Sequence, residues 1–224
     1  MRRLYHWMLD PHGRTVRLSL AEKSLTTELI SSPPWSPHAD VAKLAVGASG
    51  VALVHRANDA RYTAIGGQAI CEYLEEDGKG PRLLPHMAED RAEARRIWRW
   101  SEDGFASAVS HLLRERVAMA RARTHTPDSA ALRTGSHALR GRLTFLNQLA
   151  ELRPFLAGRT LTLADLSVAA HLSCFDYFND VPWTLVPDLR DWYSRMKSRP
   201  SFRPFLEETL DGARPADHYA DLDF

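Results

Sequence analysis

Short apolar runs alternate with polar breaks over the first 77 residues, and the spacing of the apolar positions changes from run to run. Unbroken apolar runs predict buried strands, whereas apolar residues three or four positions apart predict helices. Residues 10–13 (Asp-Pro-His-Gly) predict a turn. The predicted elements are a strand over 4–8, a helix over 14–24, a strand over 25–30, strands over 51–55 and 61–65 joined at Asn58-Asp59, and a helix over 68–76.

From residue 88 the pattern is helical throughout. Thr162 and Asp165 have the spacing of a capping box, which predicts a helix start at that point. Five leucines share one stripe of the segment 128–152 and predict a buried helix face: Leu132, Leu139, Leu143, Leu146 and Leu149. The predicted helices cover 88–123 with a bend at Gly104, 128–152, a segment beginning at Thr162, 187–198, and a short one opened by Pro200.

The two patterns predict an α+β fold with two domains. Residues 1–77 have the βαβ-then-ββα order of a thioredoxin-like domain, and residues 88–210 form an all-helical domain. Residues 78–87 contain glycines and prolines and are interpreted as the linker, and residues 211–224 as a C-terminal tail.

Composition narrows the function only slightly. Hydrophobic residues make up 44% and charged residues 25%, and the formal net charge is +1, so bulk charge indicates no nucleic-acid partner. Local charge is uneven, because eleven arginines and no lysine lie between Arg91 and Arg142 against five acids. This excess fits either a solvated helix surface or an acidic partner.

Metal, disulfide and membrane roles find no support in the sequence. Cys71 and Cys174 lie far apart, and ten histidines are scattered without metal-ligand spacing. We therefore expect no metal and no cofactor. The first residues are too polar for a signal peptide and no apolar run reaches the length of a membrane span, so a cytoplasmic protein without membrane insertion is expected.

Several segments resemble the glutathione transferase family. Residues 155–165 (FLAGRTLTLAD) and Trp192-Tyr193-Ser194-Arg195, followed by Arg199-Pro200, are similar to the signature of its helical domain. Residues 4–6, 14–17 and 69–76 resemble its first domain in the same order. The resemblance covers nearly the whole chain and implies the family's two-domain fold, while the function has to be argued from the site.

Three positions that this family uses to bind glutathione are replaced. The hydroxyl that would stabilise the thiolate corresponds to Asp10, and an ionised carboxylate repels a thiolate and donates no hydrogen bond to it. The cis-proline position is Ala52, where a cis bond would cost about 2.5–4 kcal/mol. The acid-serine pair that holds the γ-glutamyl end corresponds to Gly67-Gln68. These departures favour a protein without catalytic residues, and a divergent glutathione-dependent transferase or isomerase stays open as the alternative.

The C-terminal sequence resembles that of transferase homologues that act in alphaproteobacterial cell division. The resemblance implies a homodimer at the division site that binds FtsZ and supports constriction, with a second division protein as a candidate partner of the tail. A structural role in translation or transcription machinery is a weaker option.

The candidate protein-binding residues are Trp35, Arg95, Arg96, Arg99, His218, Tyr219, Asp221, Leu222 and Phe224. Each set has an ordinary structural alternative. Trp35 lies between prolines and either contacts a partner or plugs the vacated ligand site. The arginines either meet an acidic filament surface or form intrahelical and dimer pairs. The tail either binds a partner or docks on its own body.

Overall fold

The computed structural model describes residues 1–36, 40–57, 60–122 and 124–224. The chain divides into two compact units, Met1–Leu84 and Pro85–Phe224, so that residues 211–224 belong to the second unit. Asn58-Asp59, the predicted hairpin turn, and Arg123, the predicted end of the long helical segment, lie outside the described residues.

The first unit is a four-stranded mixed sheet with two helices. Its elements are β1 (Arg2–His6), α1 (Pro11–Glu22), β2 (Glu28–Ser31), a 3₁₀ turn (Asp40–Lys43), β3 (Ala52–Ala57), β4 (Ala60–Ile65) and α2 (Gly67–Glu76). The strand order is β2-β1-β3-β4, with β1 parallel to β2 and antiparallel to β3. The predicted thioredoxin-like order of elements is therefore confirmed.

The inner strand β3 is buried on both of its faces. Residues 52–55 are all buried, and Leu53 pairs with the buried Leu4 of β1. Ile70 and Leu74 of α2 are also fully buried. A hydrogen bond of 2.6 Å between His55 Nδ1 and the Tyr73 hydroxyl links β3 to α2. The core of this unit thus includes β1, β3 and the apolar side of α2.

The first helix begins earlier than predicted, so the interpretation of residues 10–13 as a turn was wrong. Asp10 is the N-cap residue of α1, and Pro11 occupies the first helical position. Proline is favoured there because its missing N–H would have no intrahelical partner in any case. The Asp-Pro pair is thus a helix start.

The segment after α2 is held by a buried ion pair. Lys23 Nζ lies 2.7 Å from Glu75 Oε1, and both side chains are almost completely buried. The Glu75 carboxylate also accepts hydrogen bonds from the amides of Leu83 and Leu84, at 3.1 Å each. Much of the predicted linker is therefore fixed to the first unit by side chains of α1 and α2.

The second unit is entirely helical among the residues described. Its elements are α3 (Ala88–Arg99), a π-helical segment (Trp100–Phe105), α4 (Ala106–Arg121), α5 (Ser129–Leu152), α6 (Leu163–Tyr177), a 3₁₀ turn (Trp183–Leu185), α7 (Pro187–Lys197) and α8 (Arg203–Leu206). Every residue of α6 is buried, so this helix forms the centre of the unit. The capping box of Thr162 and Asp165 is confirmed.

Two details of the helical prediction were wrong. Leu139, Leu143, Leu146 and Leu149 are buried as expected, but Leu132 is partly exposed near the start of α5. The short last helix begins at Arg203 with Pro204 in its first turn, so Pro200 does not open it. The break between α3 and α4 does contain Gly104, as expected, and takes the form of a π-helical segment.

Candidate functional site

Asp10, which the resemblance assigns to the position of the family's catalytic hydroxyl, lies where β1 leads into α1. The Asp10 carboxylate accepts hydrogen bonds from the amides of His12 at 3.2 Å and Gly13 at 3.1 Å. These amides lack intrahelical partners in the first turn, so the carboxylate acts as their cap. An ionised carboxylate has no proton to donate to a thiolate at this point.

The cis-proline position is part of a regular strand. Ala52 begins β3, where it pairs with Tyr5 of β1 and Ile65 of β4. The preceding carbonyl, that of Val51, accepts a hydrogen bond of 2.9 Å from the Gly66 amide. No cis peptide bond occurs within the described ranges. The backbone here is therefore engaged within the sheet and the following turn.

The position of the acid-serine pair is closed by a neighbouring helix. Gly67 is the first residue of α2, and a Cβ atom placed on it would lie 3.1 Å from His12 Cβ and 3.4 Å from the His12 carbonyl oxygen. The first distance is tighter than an ordinary van der Waals contact, so a side chain at this position would press on the first turn of α1. Gln68 is exposed.

Trp35 forms an aromatic pair that the sequence analysis did not foresee. Its ring packs edge-on against that of Trp7, with the centroids 4.9 Å apart. Trp7 follows β1 and Trp35 follows β2, and these strands are parallel neighbours, so both residues lie at the same end of the sheet. Trp35 remains 37% exposed. We call these two residues the Trp7–Trp35 pair.

A buried histidine lies beside the start of α1. His6 ends β1, and its Nδ1 atom has no hydrogen-bond partner among the residues that the structure describes. Burial, and then the positive charge of Arg17, lower the pKa of His6 to about 4. The imidazole is therefore neutral at physiological pH. Sequence reasoning missed it because a single histidine in a short strand carries no pattern.

The arginines of α3 are engaged within their own unit. Arg96 donates two hydrogen bonds to Glu93, and Arg153 donates a third. These guanidinium groups lower the pKa of Glu93 to about 2. Arg99 forms an ion pair with Asp103 one turn further on, and Arg95 is half-buried. Arg96 and Arg99 therefore form intrahelical ion pairs, one of the two roles that the sequence left open.

The C-terminal tail docks on the helices of its own unit. Tyr219 is completely buried, and its hydroxyl donates to the Phe205 carbonyl. His218 Nε2 lies 2.7 Å from an oxygen of Asp176, a buried carboxylate on α6. Asp221 and Leu222 remain exposed. The tail thus has both a docked side and an outward side.

A buried lysine on α7 is the second anchor of the tail. The Lys197 ammonium donates hydrogen bonds to the carbonyls of His218 and Asp221. It also lies 4.0 Å from the centroid of the Phe224 ring, which packs against Trp183 in turn. Burial lowers the pKa of Lys197. No sequence motif reveals this contact, because the partners of Lys197 are backbone carbonyls and a ring face.

Two negative findings apply to the described part of the chain. No group of three or more His, Cys, Asp and Glu side chains there is placed to hold a metal ion. None of its helices combines the length and the apolar character that a membrane span requires.

Comparison with known proteins identifies the family. Residues 130–209 match the family model for the glutathione S-transferase C-terminal domain. Over 224 residues the chain is 40% identical to FtsZ-localized protein A of Caulobacter vibrioides, an alignment that covers 100% of this chain and 98% of that protein. The chain belongs to the glutathione S-transferase family. It is also 30% identical to glutathione S-transferase 2 of Saccharomyces cerevisiae, over 91% of this chain and 89% of the yeast protein.

Solved structures of this transferase family match over the whole chain. FzlA from C. crescentus has a TM-score of 0.94 and 40% identity, covering 100% of this chain and 99% of that one. A glutathione S-transferase from Rhodospirillum rubrum F11 has a TM-score of 0.93 and 42% identity, with complete coverage of both chains. These two solved structures have different names, although their similarity to this chain is nearly equal. Overall similarity therefore does not decide the role of this chain, and the site residues have to be considered.

Proposed function

We propose that this glutathione S-transferase family member is a non-enzymatic protein that binds FtsZ at the division site and supports bacterial constriction as a homodimer. The full-length similarity to FtsZ-localized protein A supports the proposal. The observation that carries it is the state of Asp10, whose carboxylate occupies the position of the thiolate-stabilising hydroxyl and caps α1.

The free energy needed to activate a thiol explains why an aspartate at position 10 argues against glutathione chemistry. Lowering a thiol pKa by about two units requires roughly 2.7 kcal/mol of preference for the thiolate. A nearby carboxylate acts in the opposite direction, because like charges favour the protonated thiol. The Asp10 carboxylate also accepts hydrogen bonds from two backbone amides, which uses its oxygens as the cap of α1.

The closed position at Gly67 supports the same proposal independently. A bound tripeptide would need side-chain partners for its γ-glutamyl end, and the glycine offers none. The close approach of His12 leaves little space in which a neighbouring group could take over that role. Two separate elements, the β1–α1 connection and the start of α2, thus both differ from the groups with which the family holds glutathione, which supports the proposal.

The Trp7–Trp35 pair is our first candidate for the FtsZ-binding surface. Tryptophan is enriched among residues that dominate the binding energy of interfaces, and more than a third of the Trp35 surface is available. The arginines of α3 rank below it, because Arg96 and Arg99 already have acidic partners. A second division protein would have to recognise the outward side of the tail, where Asp221 and Leu222 are exposed.

The test combines isothermal titration with glutathione and co-pelleting with GTP-assembled FtsZ. We expect no heat with glutathione and clear co-pelleting. Trp35→Ala should weaken co-pelleting by about tenfold or more. Leu185→Ala, which shortens an apolar side chain that is 66% exposed in the second unit, serves as the matched control and should leave co-pelleting unchanged. Glutathione binding without co-pelleting would overturn the proposal.

A divergent glutathione-dependent transferase or isomerase is the second candidate, because the neighbour from Rhodospirillum rubrum is named a glutathione S-transferase. This activity would need a different donor for the thiolate. Conjugation of glutathione to a chlorodinitrobenzene acceptor measures it directly. Turnover above the uncatalysed rate that is lost in Tyr5→Phe would favour the enzyme.

A further inference from the structure

The outward face of α5 carries a row of basic side chains. Arg133, His137 and Arg140 follow one another at spacings of four and three residues, which places them on consecutive turns of one face. All three are exposed. The opposite face packs against α4, where Gly135 lies so close to Leu112 that a Cβ atom would approach it to 2.5 Å. The helix is thus fixed on one side and open on the other.

This row has no acidic partner in the part of the chain that the structure describes. Neither Arg133 nor Arg140 forms an ion pair there, in contrast to Arg96 and Arg116. The sequence from 129 to 149 contains no aspartate or glutamate. Acids three or four positions away are the usual means of balancing such a face. The face therefore retains positive charge that only an outside group can balance.

The same face also provides a shallow depression with an apolar contact. Leu132, Arg133, Ser136, His137 and Arg140 line a hollow of about 310 Å³. Leu132 is the leucine that the sequence placed in the core and that the structure leaves partly exposed. An apolar side chain in the same hollow as two guanidinium groups suits a ligand that carries both acidic and apolar groups.

We propose that this α5 basic face, Leu132, Arg133, Ser136, His137 and Arg140, docks an acidic peptide segment of a protein partner. Arg133 and Arg140 are about 10 Å apart along the helix axis at 1.5 Å per residue. In a polyproline II segment, which has three residues per turn and a rise of about 3.1 Å per residue, carboxylates three residues apart lie on the same side and are separated by nearly the same distance. Each guanidinium group can then bind one carboxylate with two hydrogen bonds.

Charge makes other occupants of the α5 basic face less suitable. A second copy related by a two-fold axis through the middle of this face would bring arginines against arginines, which is repulsive. A nucleic acid strand would require a longer basic track than two arginines, and it would leave Leu132 against sugar and phosphate. The docking does not depend on FtsZ, so it can hold or fail independently of the proposed function.

The test uses the full chain and a fluorescein-labelled deca-glutamate peptide, with fluorescence anisotropy at low salt. Arg133→Glu/Arg140→Glu should weaken peptide binding by about tenfold or more. The matched control is Arg159→Glu/Arg203→Glu, which makes the same change in net charge at two exposed arginines elsewhere in the second unit. The control should stay within about twofold of the unchanged protein.

Further measurements keep the proposal falsifiable. If circular dichroism shows that the double charge reversal unfolds the protein, Arg133→Gln/Arg140→Gln replaces it. This variant should also weaken binding of the peptide. Equal losses in the α5 variant and in the control would overturn the proposal. So would tight binding of an oligo-dT strand through the same two arginines. A change of oligomeric state in sedimentation, with unaltered peptide affinity, would instead assign the face to contacts between copies and also overturn it.

Discussion

Asp10 and Asp165 both cap the start of a helix, Asp10 as the N-cap residue of α1 and Asp165 from the third position of α6, behind the N-cap Thr162, but they lie in different surroundings. Asp10 is half-buried and its carboxylate accepts two backbone amides. Asp165 is completely buried, and its carboxylate accepts hydrogen bonds from the amides of Leu156 and Thr162, the Thr162 hydroxyl and the Trp192 indole. The same residue type therefore performs a local task in one unit and joins three segments in the other.

The difference explains why the side chain can be exchanged for another capping residue at position 10 and not at position 165. Serine, threonine, aspartate and asparagine are nearly interchangeable at an N-cap, because each offers an oxygen to the first free amides. Replacement of a hydroxyl residue by aspartate at position 10 thus has little effect on the fold. The same replacement removes the hydrogen-bond donor that a thiolate needs. Asp165 lacks this freedom because four donors would lose their acceptor.

The largest expected effect tests the buried cap. Asp165→Ala leaves buried donors on Leu156, Thr162 and Trp192 without partners, and each such group costs about 1–3 kcal/mol. We expect the free energy of unfolding to fall by at least about 3 kcal/mol in urea denaturation. Asp165→Asn, which keeps one acceptor oxygen, is the control and should lose less. A loss below about 1 kcal/mol would show that the two caps are equivalent.

The second prediction concerns how the free energy of unfolding depends on pH through His6, which lies close to the start of α1. The unfolded chain binds a proton at His6 near pH 6.5, whereas the folded chain does so only near pH 4. Between these values the unfolded state holds more protons, so the free energy of unfolding falls as the pH falls, by up to about 3 kcal/mol. Urea titrations at several pH values should show a shallower fall for His6→Gln than for His86→Gln, which replaces an exposed histidine. Equal slopes would contradict the assignment to His6.

A third and smaller effect is expected at Asp10 itself. Asp10→Ala removes the acceptor for two amides that water can partly solvate, and loss of an N-cap typically costs about 1 kcal/mol. Thermal unfolding followed by circular dichroism measures it. Asp128→Ala, which removes the exposed cap of α5, is the matched control and should have a similar effect. A loss as large as that of Asp165→Ala would remove the contrast between the two caps.

The variant with the smallest expected effect on stability is the most direct test of function. Asp10→Ser keeps an N-cap oxygen and should change the free energy of unfolding by only a few tenths of a kcal/mol. It also restores the hydroxyl of the transferases. Titration calorimetry should still detect no glutathione binding, because Ala52 and Gly67 are unchanged. Binding in this single variant would mean that Asp10 alone separates this protein from a transferase.

Local signals account for what the sequence predicted well. The capping box at Thr162 depends on residues three positions apart, and the order of strands follows from short apolar runs. The pairing of Arg96 with Glu93 has helical spacing as well, although the sequence had left the intrahelical use of these arginines as one of two alternatives. The start of α1 was placed too late because an Asp-Pro pair begins both turns and helices, and only the following amides distinguish them.

Contacts between distant segments account for what the sequence did not predict. The tail depends on Lys197 and Asp176, which lie on two different helices, so the choice between docking and release could not be made from residues 211–224 alone. The closure of Gly67 by His12 depends in the same way on how two helix starts approach each other. The Trp7–Trp35 pair requires the parallel pairing of β1 with β2 before its geometry becomes visible.

The contact between Gly67 and His12 has a consequence for the history of the site. A side chain restored at Gly67 would press on the Cβ atom and the backbone of His12, and every residue except glycine would present the same atoms at position 12. A smaller side chain at position 12 therefore does not make room, and the first turn of α1 has to shift instead. Recovery of an acidic side chain at this point thus requires backbone movement in a neighbouring helix, which makes the glycine easier to acquire than to reverse.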